Sequence, residues 1–269
     1  MKRLQLNHIS CRRLPAAGKY GQKLLDWIFP KRCPVCDGLL SPAEGLCHRE
    51  CFSELTFVGD RGCMRCGKLM TGEGALCRDC RAFQARGRKD ESFDLARALL
   101  LYQGKTKLTM YRFKYSNRRE YARFFAEELA KRYGNWLREE QVSCIMAVPM
   151  HRAKQRKRGY NQARSLAHAL SEQTGIPVEE KALIRRKKTR ALKLMDDSHR
   201  RQELRSAFGV TAAYDPGREP VVLVVDDIFT TGATAEGIAG VLKAAGAARV
   251  LVLCVCTARA NEKGSFDDA

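Results

Sequence analysis

The sequence has no long apolar run, although hydrophobic residues make up 45% of its 269 residues. No stretch approaches the roughly 20 apolar residues that a membrane-spanning helix needs, so we expect no membrane span. The basic start Met1-Lys2-Arg3 is not followed by an apolar segment, which argues against a secretory signal. We therefore expect a cytoplasmic protein, and its hydrophobic content is sufficient for a packed core.

Acidic residues are also scarce in this chain. Asp and Glu number 30 against 49 Lys and Arg, which gives a formal net charge of +19. Residues 103–132 carry nine basic residues against three acids, and residues 150–205 carry sixteen against six. A basic run is often only a solvated surface, but its concentration in two segments favours an anionic partner, either nucleic acid or a polyphosphate.

Cysteine, in contrast, is abundant, and eight of the 12 cysteines lie between positions 33 and 80. Moving from the first set of four to the second adds 30, 30, 30 and 29 residues, which indicates an internal repeat. In a reducing compartment, clustered thiols of this kind bind metal rather than form disulfides. The predicted ligands are Cys33, Cys36, Cys47 and Cys51 in the first set and Cys63, Cys66, Cys77 and Cys80 in the second.

Each set of four thiolates suits one tetrahedral zinc ion and leaves no position open for water, so we expect two structural sites. Neither segment is long enough to bury a core, and the metal must supply folding energy on the order of 10–16 kcal/mol per site. The repeat favours one ion per set, while a cross-braced arrangement that joins Cys33 and Cys36 to Cys63 and Cys66 is also compatible. His48 is a further potential donor, although Cys51 completes the first set without it.

The remaining patterns divide the chain into a basic N-terminal helix (1–30), the cysteine module (31–82), a linker (83–94), an α/β domain (95–259) and a tail (260–269). Apolar periodicity in the α/β domain predicts strands at 98–102, 143–148, 207–211, 221–225 and 249–257, and helices at 119–133, 161–173 and 234–245. The β-branched run at 221–225 is typical of a strand covered on both faces. This alternation predicts an open parallel sheet with helices on both faces.

The sharpest motif is the strand 221–225 followed by two acids and a Thr/Gly loop that opens a helix. N–H groups at a helix start can bind phosphate, and the acids can accept hydrogen bonds from sugar hydroxyls. The segment resembles the binding motif of type I phosphoribosyltransferases for 5-phosphoribosyl 1-pyrophosphate (PRPP). By that resemblance Asp226 and Asp227 bind the ribose hydroxyls, and the 5-phosphate is bound by Thr230, Thr231, Gly232, Ala233 and Thr234.

A second group of residues extends the resemblance. It consists of the segments Phe113-Lys114-Tyr115, Pro149-Met150-His151-Arg152 and Arg158-Gly159-Tyr160-Asn161-Gln162. With the cysteine repeat in front of them, the chain resembles the ComF family over roughly residues 24–257. The resemblance implies a double zinc ribbon followed by a type I phosphoribosyltransferase-like open parallel sheet. It also implies that Pro149, Met150, His151, Arg152, Arg158 and Lys114 bind the pyrophosphate, with Mg²⁺ bridging pyrophosphate and ribose oxygens.

The resemblance implies a protein that binds PRPP and single-stranded nucleic acid during the uptake of transforming DNA, with a helicase-type ATPase as a further partner. Aromatic residues interleave the basic segments, a combination common in single-strand binding, although core packing would explain the same residues. They are Tyr111, Phe113, Tyr115, Tyr121 and Tyr160. The alternative is an active phosphoribosyltransferase that acts on an unidentified base or amine. Thr230 stands where purine phosphoribosyltransferases commonly carry an Asp, which argues against purine salvage, and no catalytic residue is predicted.

Overall fold

A computed structural model describes residues 30–41, 43–85, 87, 92–187 and 206–260. The helix predicted over 1–30 and the tail predicted over 260–269 lie outside the described residues, apart from Pro30 and Ala260. The described helices are α1 (Arg49–Ser53), α2 (Arg78–Ala85), α3 (Gly104–Tyr115), α4 (Tyr121–Glu139), α5 (Arg152–Arg158), α6 (Gln162–Thr174) and α7 (Ala233–Ala244). The described strands are β1 (Leu95–Leu101), β2 (Cys144–Ala147), β3 (Leu183–Arg185), β4 (Phe208–Val210), β5 (Val221–Phe229) and β6 (Arg249–Thr257).

The central sheet has four parallel strands in the order β1-β6-β5-β2. This confirms the predicted open parallel sheet. The strand predicted at 207–211 exists as β4, but it pairs with β3 in a separate two-stranded antiparallel sheet.

Helices cover both faces of the central sheet. Side chains alternate along a strand, so Val222 and Val224 of β5 enter one apolar core, while Leu223 and Val225 enter the other. The first core contains residues of α7, and the second contains residues of α3, α4 and α6. Burial on both faces explains why the central strands read as continuous apolar runs.

Strand β5 is four residues longer than the run that predicted it. Its register with β6 continues beyond Val225, so that Asp226 lies opposite Cys254, Ile228 opposite Cys256 and Phe229 opposite Thr257. The two acids therefore lie within the strand rather than after it. Pairing with a nine-residue neighbour extends β5 beyond its apolar segment.

The cysteine module packs along β1, which is an edge strand of the sheet. Val58 N donates to Leu99 O over 3.0 Å, and Leu101 N donates to Thr56 O over 2.9 Å. Ala96 N donates to Arg65 O over 2.6 Å. The module thus pairs backbone groups that an exposed edge would leave open.

Helices α3 and α5 were not predicted from the sequence. Two of the four buried positions of α3 are threonines, and its exposed face carries large apolar side chains, so the usual amphipathic pattern is weak. Helix α5 has seven residues, five of them Lys or Arg, and none of these described residues is buried. The segment predicted as a linker, 83–94, includes the end of α2 and the buried side chains of Ser92 and Phe93.

Candidate functional site

The two acids of β5 lie beside a lysine from α3. Asp227 Oδ2 is 3.0 Å from Lys114 Nζ, and these two side chains are only 15% and 17% exposed. The Asp227 backbone N–H donates to Asp226 Oδ1 over 2.8 Å. Sheet and helix thus bring two carboxylates and an ammonium group together, although they are more than 110 residues apart in the chain.

The Asp226 carboxyl group binds a proton more tightly than an ordinary aspartate does. Burial, followed by the neighbouring Asp227 carboxylate, raises its pKa to about 7, while the Asp227 N–H, Lys114 and Lys154 oppose the rise. Asp226 can therefore hold a proton at neutral pH. A ligand that brought positive charge to this carboxyl group would favour its ionised form.

The Thr/Gly loop links β5 to α7 in a tight turn. Gly232 has φ +83°, and a Cβ there would lie 2.9 Å from Phe229 Cζ, so a larger residue would be strained and crowded. Gly232 is the N-cap of α7, and the Thr231 hydroxyl accepts a hydrogen bond from Ala233 N over 3.3 Å. The loop lines a small cavity of about 40 Å³ together with Asp226 and Val148. The start of α7 and its hydroxyl groups thus border a concave surface suited to an anion.

The residues predicted for pyrophosphate divide into three groups. Lys114 pairs with Asp227, as described above, and the guanidinium of Arg158 donates to the hydroxyl of Tyr115, the residue after Lys114, over 3.0 Å. Arg152 is exposed at the start of α5, and His151 caps that helix by accepting from Ala153 N over 3.3 Å.

The two remaining predicted residues lie elsewhere. Pro149 and Met150 line a separate cavity of about 150 Å³ with Asn161 and Arg164, and not the cavity beside the Thr/Gly loop. The structure therefore places Lys114 beside the acids of β5 and Arg158 beside Tyr115, while Pro149 and Met150 do not line the loop cavity.

Lys154 is a neighbour of the site that sequence reasoning missed. Partial desolvation, followed by the charges of Arg158 and Lys114, lowers the pKa of Lys154, while Asp227 acts in the opposite direction. Lys154 and Arg158 are four residues apart on α5, a spacing that places them on one helix face. Recognising α5 as a helix would have identified Lys154 from that spacing.

Tyr160 and Gln162 hold the end of α3 that carries Lys114. The Tyr160 hydroxyl donates to Phe113 O, and Gln162 Nε2 donates to Lys114 O over 3.3 Å. Both side chains are buried. They satisfy carbonyl groups at the helix end that would otherwise lack partners, and so they position Lys114 beside Asp227.

The second cysteine set, which we call the second metal unit (63–80), contains a compact donor group. The sulfur atoms of Cys63, Cys66, Cys77 and Cys80 all lie within 4.8 Å of one another, and all four residues are buried. Four thiols in this arrangement fit one tetrahedral zinc ion. The guanidinium of Arg65 lies 3.8 Å from Cys80 Sγ and also donates to Glu236 Oε1, 3.2 Å away in the first turn of α7.

The first metal unit (33–51) has a different donor group from the one predicted. The atoms that lie within 4.8 Å of one another belong to Cys33, Cys36, His48 and Cys51. Cys47 Sγ is 3.7 Å from Cys33 Sγ but is not a member of this group. Three thiols and an imidazole also fit zinc. In both units the donors group sequentially rather than in the cross-braced arrangement.

In the described part of the chain, no helix combines the length and the apolar character that a membrane crossing requires.

Comparison with known proteins supports the two-part organisation. Residues 24–81 match the family described as "Double zinc ribbon domain". Competence protein ComFC of Bacillus subtilis (strain 168) is 26% identical over 200 residues, which cover 73% of this chain and 77% of that protein. Competence protein F of Haemophilus influenzae is 28% identical over 228 residues, covering 83% of this chain and 96% of that protein.

Two further similarities cover shorter parts of the chain. DNA utilization protein YhgH of Escherichia coli O157:H7 is 34% identical over 112 residues, 42% of this chain and 48% of that protein. Hypoxanthine phosphoribosyltransferase from Trypanosoma cruzi, solved with the product IMP, is 16% identical, with a TM-score of 0.31 over 55% of this chain and 74% of that one. The alignments with the two competence proteins extend far beyond the ribbon, so the similarity to ComF proteins covers both the cysteine module and the α/β domain.

Proposed function

We propose that this protein binds PRPP beside the Thr/Gly loop and acts in the uptake or handling of single-stranded transforming DNA in the cytoplasm. The observation that carries the proposal is the pairing of Lys114 with Asp227 near the carboxyl-terminal end of β5, close to the start of α7. This end of β5 brings together carboxylates that can accept hydrogen bonds from hydroxyl groups, the start of a helix, and basic side chains. The names of the competence and DNA utilization relatives support the DNA role.

Each part of PRPP has a matching group of residues in this proposal. The 5-phosphate would bind the loop 230–234, where the N-terminus of α7 favours an anion. The ribose hydroxyls would bind Asp226 and Asp227. The pyrophosphate would approach Lys114, Lys154 and Arg158, whose mutual repulsion a polyanion relieves.

A divalent cation fits the same proposal. Mg²⁺ is commonly held by one or two carboxylates together with the phosphate groups of a substrate. Asp226 and Asp227 are the acids of the site that would hold Mg²⁺-bound PRPP. The metal would neutralise the pyrophosphate and favour ionised Asp226.

The surface proposed for single-stranded DNA is the exposed face of α3 with the neighbouring helix α5. Tyr111 and Tyr115 are 58% and 55% exposed, and their ring centroids are 5.1 Å apart. The other interleaved aromatic residues, Phe113, Tyr121 and Tyr160, are buried and belong to the core. Exposed rings beside cationic side chains are the usual platform for stacked bases.

Arg158 connects this surface to the PRPP site. Its guanidinium carbon lies 4.8 Å from the centroid of the Tyr115 ring, and Tyr115 follows Lys114 directly in the chain. One cation thus borders both the proposed pyrophosphate site and the proposed base-stacking surface. We therefore expect PRPP and single-stranded DNA to influence each other's binding.

Calorimetry with PRPP and Mg²⁺ tests the first half of the proposal. We expect saturable binding that falls about tenfold or more in Asp227→Asn and in Lys114→Ala, because each loses a charge at the site. Lys131→Ala is the matched control, since Lys131 is an exposed cation on α4 that pairs with Glu127. Absence of PRPP binding to the folded wild-type protein would refute this half.

Titration of a fluorescent single-stranded oligonucleotide tests the second half. We expect Tyr111→Ala with Tyr115→Ala to weaken binding about tenfold or more, while the Tyr→Phe pair retains the stacking rings. The logarithm of the affinity should fall with the logarithm of salt by about 0.7 per neutralised phosphate. Binding that does not change with salt would contradict this half.

A pyrophosphate-release assay distinguishes ligand binding from catalysis. An active phosphoribosyltransferase would release pyrophosphate from PRPP with an acceptor, and Asp227→Asn would abolish the release. PRPP binding without release over a broad set of bases and amines would leave the protein as a PRPP-binding member of the uptake machinery. Docking of a helicase-type ATPase stays a prediction of the family resemblance.

A further inference from the structure

The first metal unit holds five potential zinc donors, one more than a tetrahedral ion accepts. They are Cys33, Cys36, Cys47, His48 and Cys51. The second unit has four donors, all of them thiols. Which of the five is left out decides whether the first zinc ion is bound by four thiolates or by three thiolates and one imidazole.

We propose that Nδ1 of His48, and not Sγ of Cys47, is the fourth ligand of the first zinc ion. The site would then be a three-thiolate, one-imidazole centre, while the second unit forms a four-thiolate centre. Cys47 would be left as a thiol beside the metal site but outside it.

The distances around His48 support this ligand set. Nδ1 lies 3.3 Å from Cys36 Sγ and 4.0 Å from Cys51 Sγ. With Zn–S near 2.3 Å and Zn–N near 2.0–2.1 Å, tetrahedral ligands are separated by about 3.5–3.8 Å. The two observed distances bracket that range. Cys47 Sγ reaches Cys33 Sγ at 3.7 Å, but it does not lie within 4.8 Å of every other donor.

The second ring nitrogen of His48 supplies independent evidence. Nε2 lies 3.0 Å from the carbonyl oxygen of Leu39, and Glu44 Oε1 is 3.7 Å away. A carbonyl oxygen can only accept, so Nε2 carries a proton, and Nδ1 is the ring nitrogen that faces the thiols and is available to a metal ion. Histidine ligands of metal ions usually donate their other N–H to a carbonyl or carboxylate in this way.

The internal repeat places His48 at a ligand position. His48 and Cys51 are separated by two residues, as Cys77 and Cys80 are, whereas Cys47 and Cys51 are separated by three. His48 is the N-cap of α1, and Cys77 directly precedes α2. The third donor of each unit thus stands at the start of a short helix that carries the fourth.

Close packing next to this site agrees with that assignment. A Cβ on Gly38 would lie 3.2 Å from Cys36 Sγ and 3.3 Å from His48 Cε1, so this glycine lets the turn approach both donors. Gly38 N also donates to Cys36 Sγ over 3.3 Å. The absence of a side chain at Gly38 therefore lets the imidazole of His48 pack against the turn that carries Cys36.

X-ray absorption at the zinc edge of the full-length protein tests the ligand set without any substitution. We expect two zinc ions per chain whose combined shell holds seven sulfur atoms and one nitrogen. A shell of eight sulfur atoms would overturn the proposal. The measurement depends on neither PRPP nor DNA, so its result is independent of the proposed function.

Three variants then identify the donor by zinc content after gel filtration. Cys47→Ser should retain two zinc ions per chain, and His48→Ala should retain about one. His48→Cys is the matched control, because it should retain two ions and change the combined shell to eight sulfur atoms. If His48→Ala fails to fold, Cys47→Ser and His48→Cys still decide the question. Loss of one zinc ion from Cys47→Ser would overturn the proposal.

Discussion

The two metal units share one sequence repeat but differ in how deeply their donors are buried. All four thiols of the second unit are buried, whereas in the first unit only Cys33 is buried and Cys36 is exposed. The second unit packs in the core that contains α7, and the first packs in the core that contains α3, α4 and α6. The repeat therefore places one metal unit against each face of the same sheet.

The same turn position shows how each unit is adapted to its surface. Asp37 and Gly67 are 30 residues apart, and both have φ +66°. Asp37 accepts hydrogen bonds from the Tyr121 hydroxyl over 2.6 Å and from Arg118 over 2.9 Å. Gly67 leaves no room for a side chain, because a Cβ there would lie 2.7 Å from Ala96 O. One unit is held by a side chain, and the other by direct backbone contact with β1.

The second unit also contacts the candidate site, through Arg65. This side chain donates to Ser92 Oγ over 2.6 Å and to Glu236 Oε1 over 3.2 Å, while its guanidinium lies 3.8 Å from the ring centroid of Phe83. Glu236 belongs to the first turn of α7, directly after the Thr/Gly loop. The comparison shows that two units with the same sequence repeat can differ in their contacts: the second unit reaches the first turn of α7 through Arg65.

Removal of zinc should have the largest effect and should separate the two units in time. Each ion contributes on the order of 10–16 kcal/mol to the folding of its unit, so full chelation should unfold both. We expect a colorimetric chelator to remove the first ion faster, because its donors are partly exposed. If PRPP binds at the loop, as proposed, its binding should be lost with the second, slower phase. Release of both ions in a single phase would contradict the unequal burial.

Exchange of the turn residues should have the next largest effect. Gly67→Asp should lower the free energy of unfolding by about 2–4 kcal/mol, because the side chain meets the backbone of β1 and the left-handed conformation is strained. Asp37→Gly is the reciprocal control and should cost about 1–2 kcal/mol, since it loses hydrogen bonds but relieves backbone strain. Denaturant titration of the zinc-loaded proteins measures both. Equal losses would show that the two turns are equivalent.

The central strands and the Thr/Gly loop could be predicted because their signals are local. The run 221–225 and Gly232 each carry their information within a few neighbouring residues. The contact of Arg65 with Glu236 joins residues 171 positions apart, and no local pattern records it. Helix α3 was missed because Thr106 and Thr109 occupy buried positions, while Tyr111 and Tyr115 face solvent.

The first metal unit shows a different limit of sequence reasoning. Matching cysteine to cysteine gave Cys47 as the third ligand, because the repeat arithmetic counted only thiols. The structure groups His48 with the other donors, since helix α1 begins directly after it. If His48 is the ligand, as proposed above, the position of a donor relative to a helix start is more informative than its residue type.

Removal of Arg65 should have an intermediate effect that reaches the candidate site. Arg65→Ala should lower the free energy of unfolding by about 1–3 kcal/mol, because it leaves Glu236 and the Ser92 hydroxyl without a cationic partner. If PRPP binds at the loop, its affinity should fall several-fold, and Arg65→Lys should restore it only partly, because lysine lacks the planar fork.

Arg112→Ala is the matched control for this prediction, since Arg112 joins α3 to the first unit by donating to Val35 O over 2.7 Å. It should lower stability without a comparable change in loop mobility at α7, measured by amide hydrogen exchange of residues 230–236. Faster exchange there in Arg112→Ala than in Arg65→Ala would refute the link between the second unit and α7.

Tyr121→Phe should have the smallest effect and should be confined to the first unit. The variant removes one hydrogen bond to Asp37 but keeps the buried ring, and Arg118 still pairs with the carboxylate. We expect a loss of about 1–2 kcal/mol in the free energy of unfolding, since a hydrogen bond to a charged group is removed from a buried position. The first zinc ion should be released faster to a chelator, while the slow phase stays unchanged. Because Tyr121 packs only in the core on the first unit's side of the sheet, a change in the slow phase would mean that the two units are coupled through the sheet.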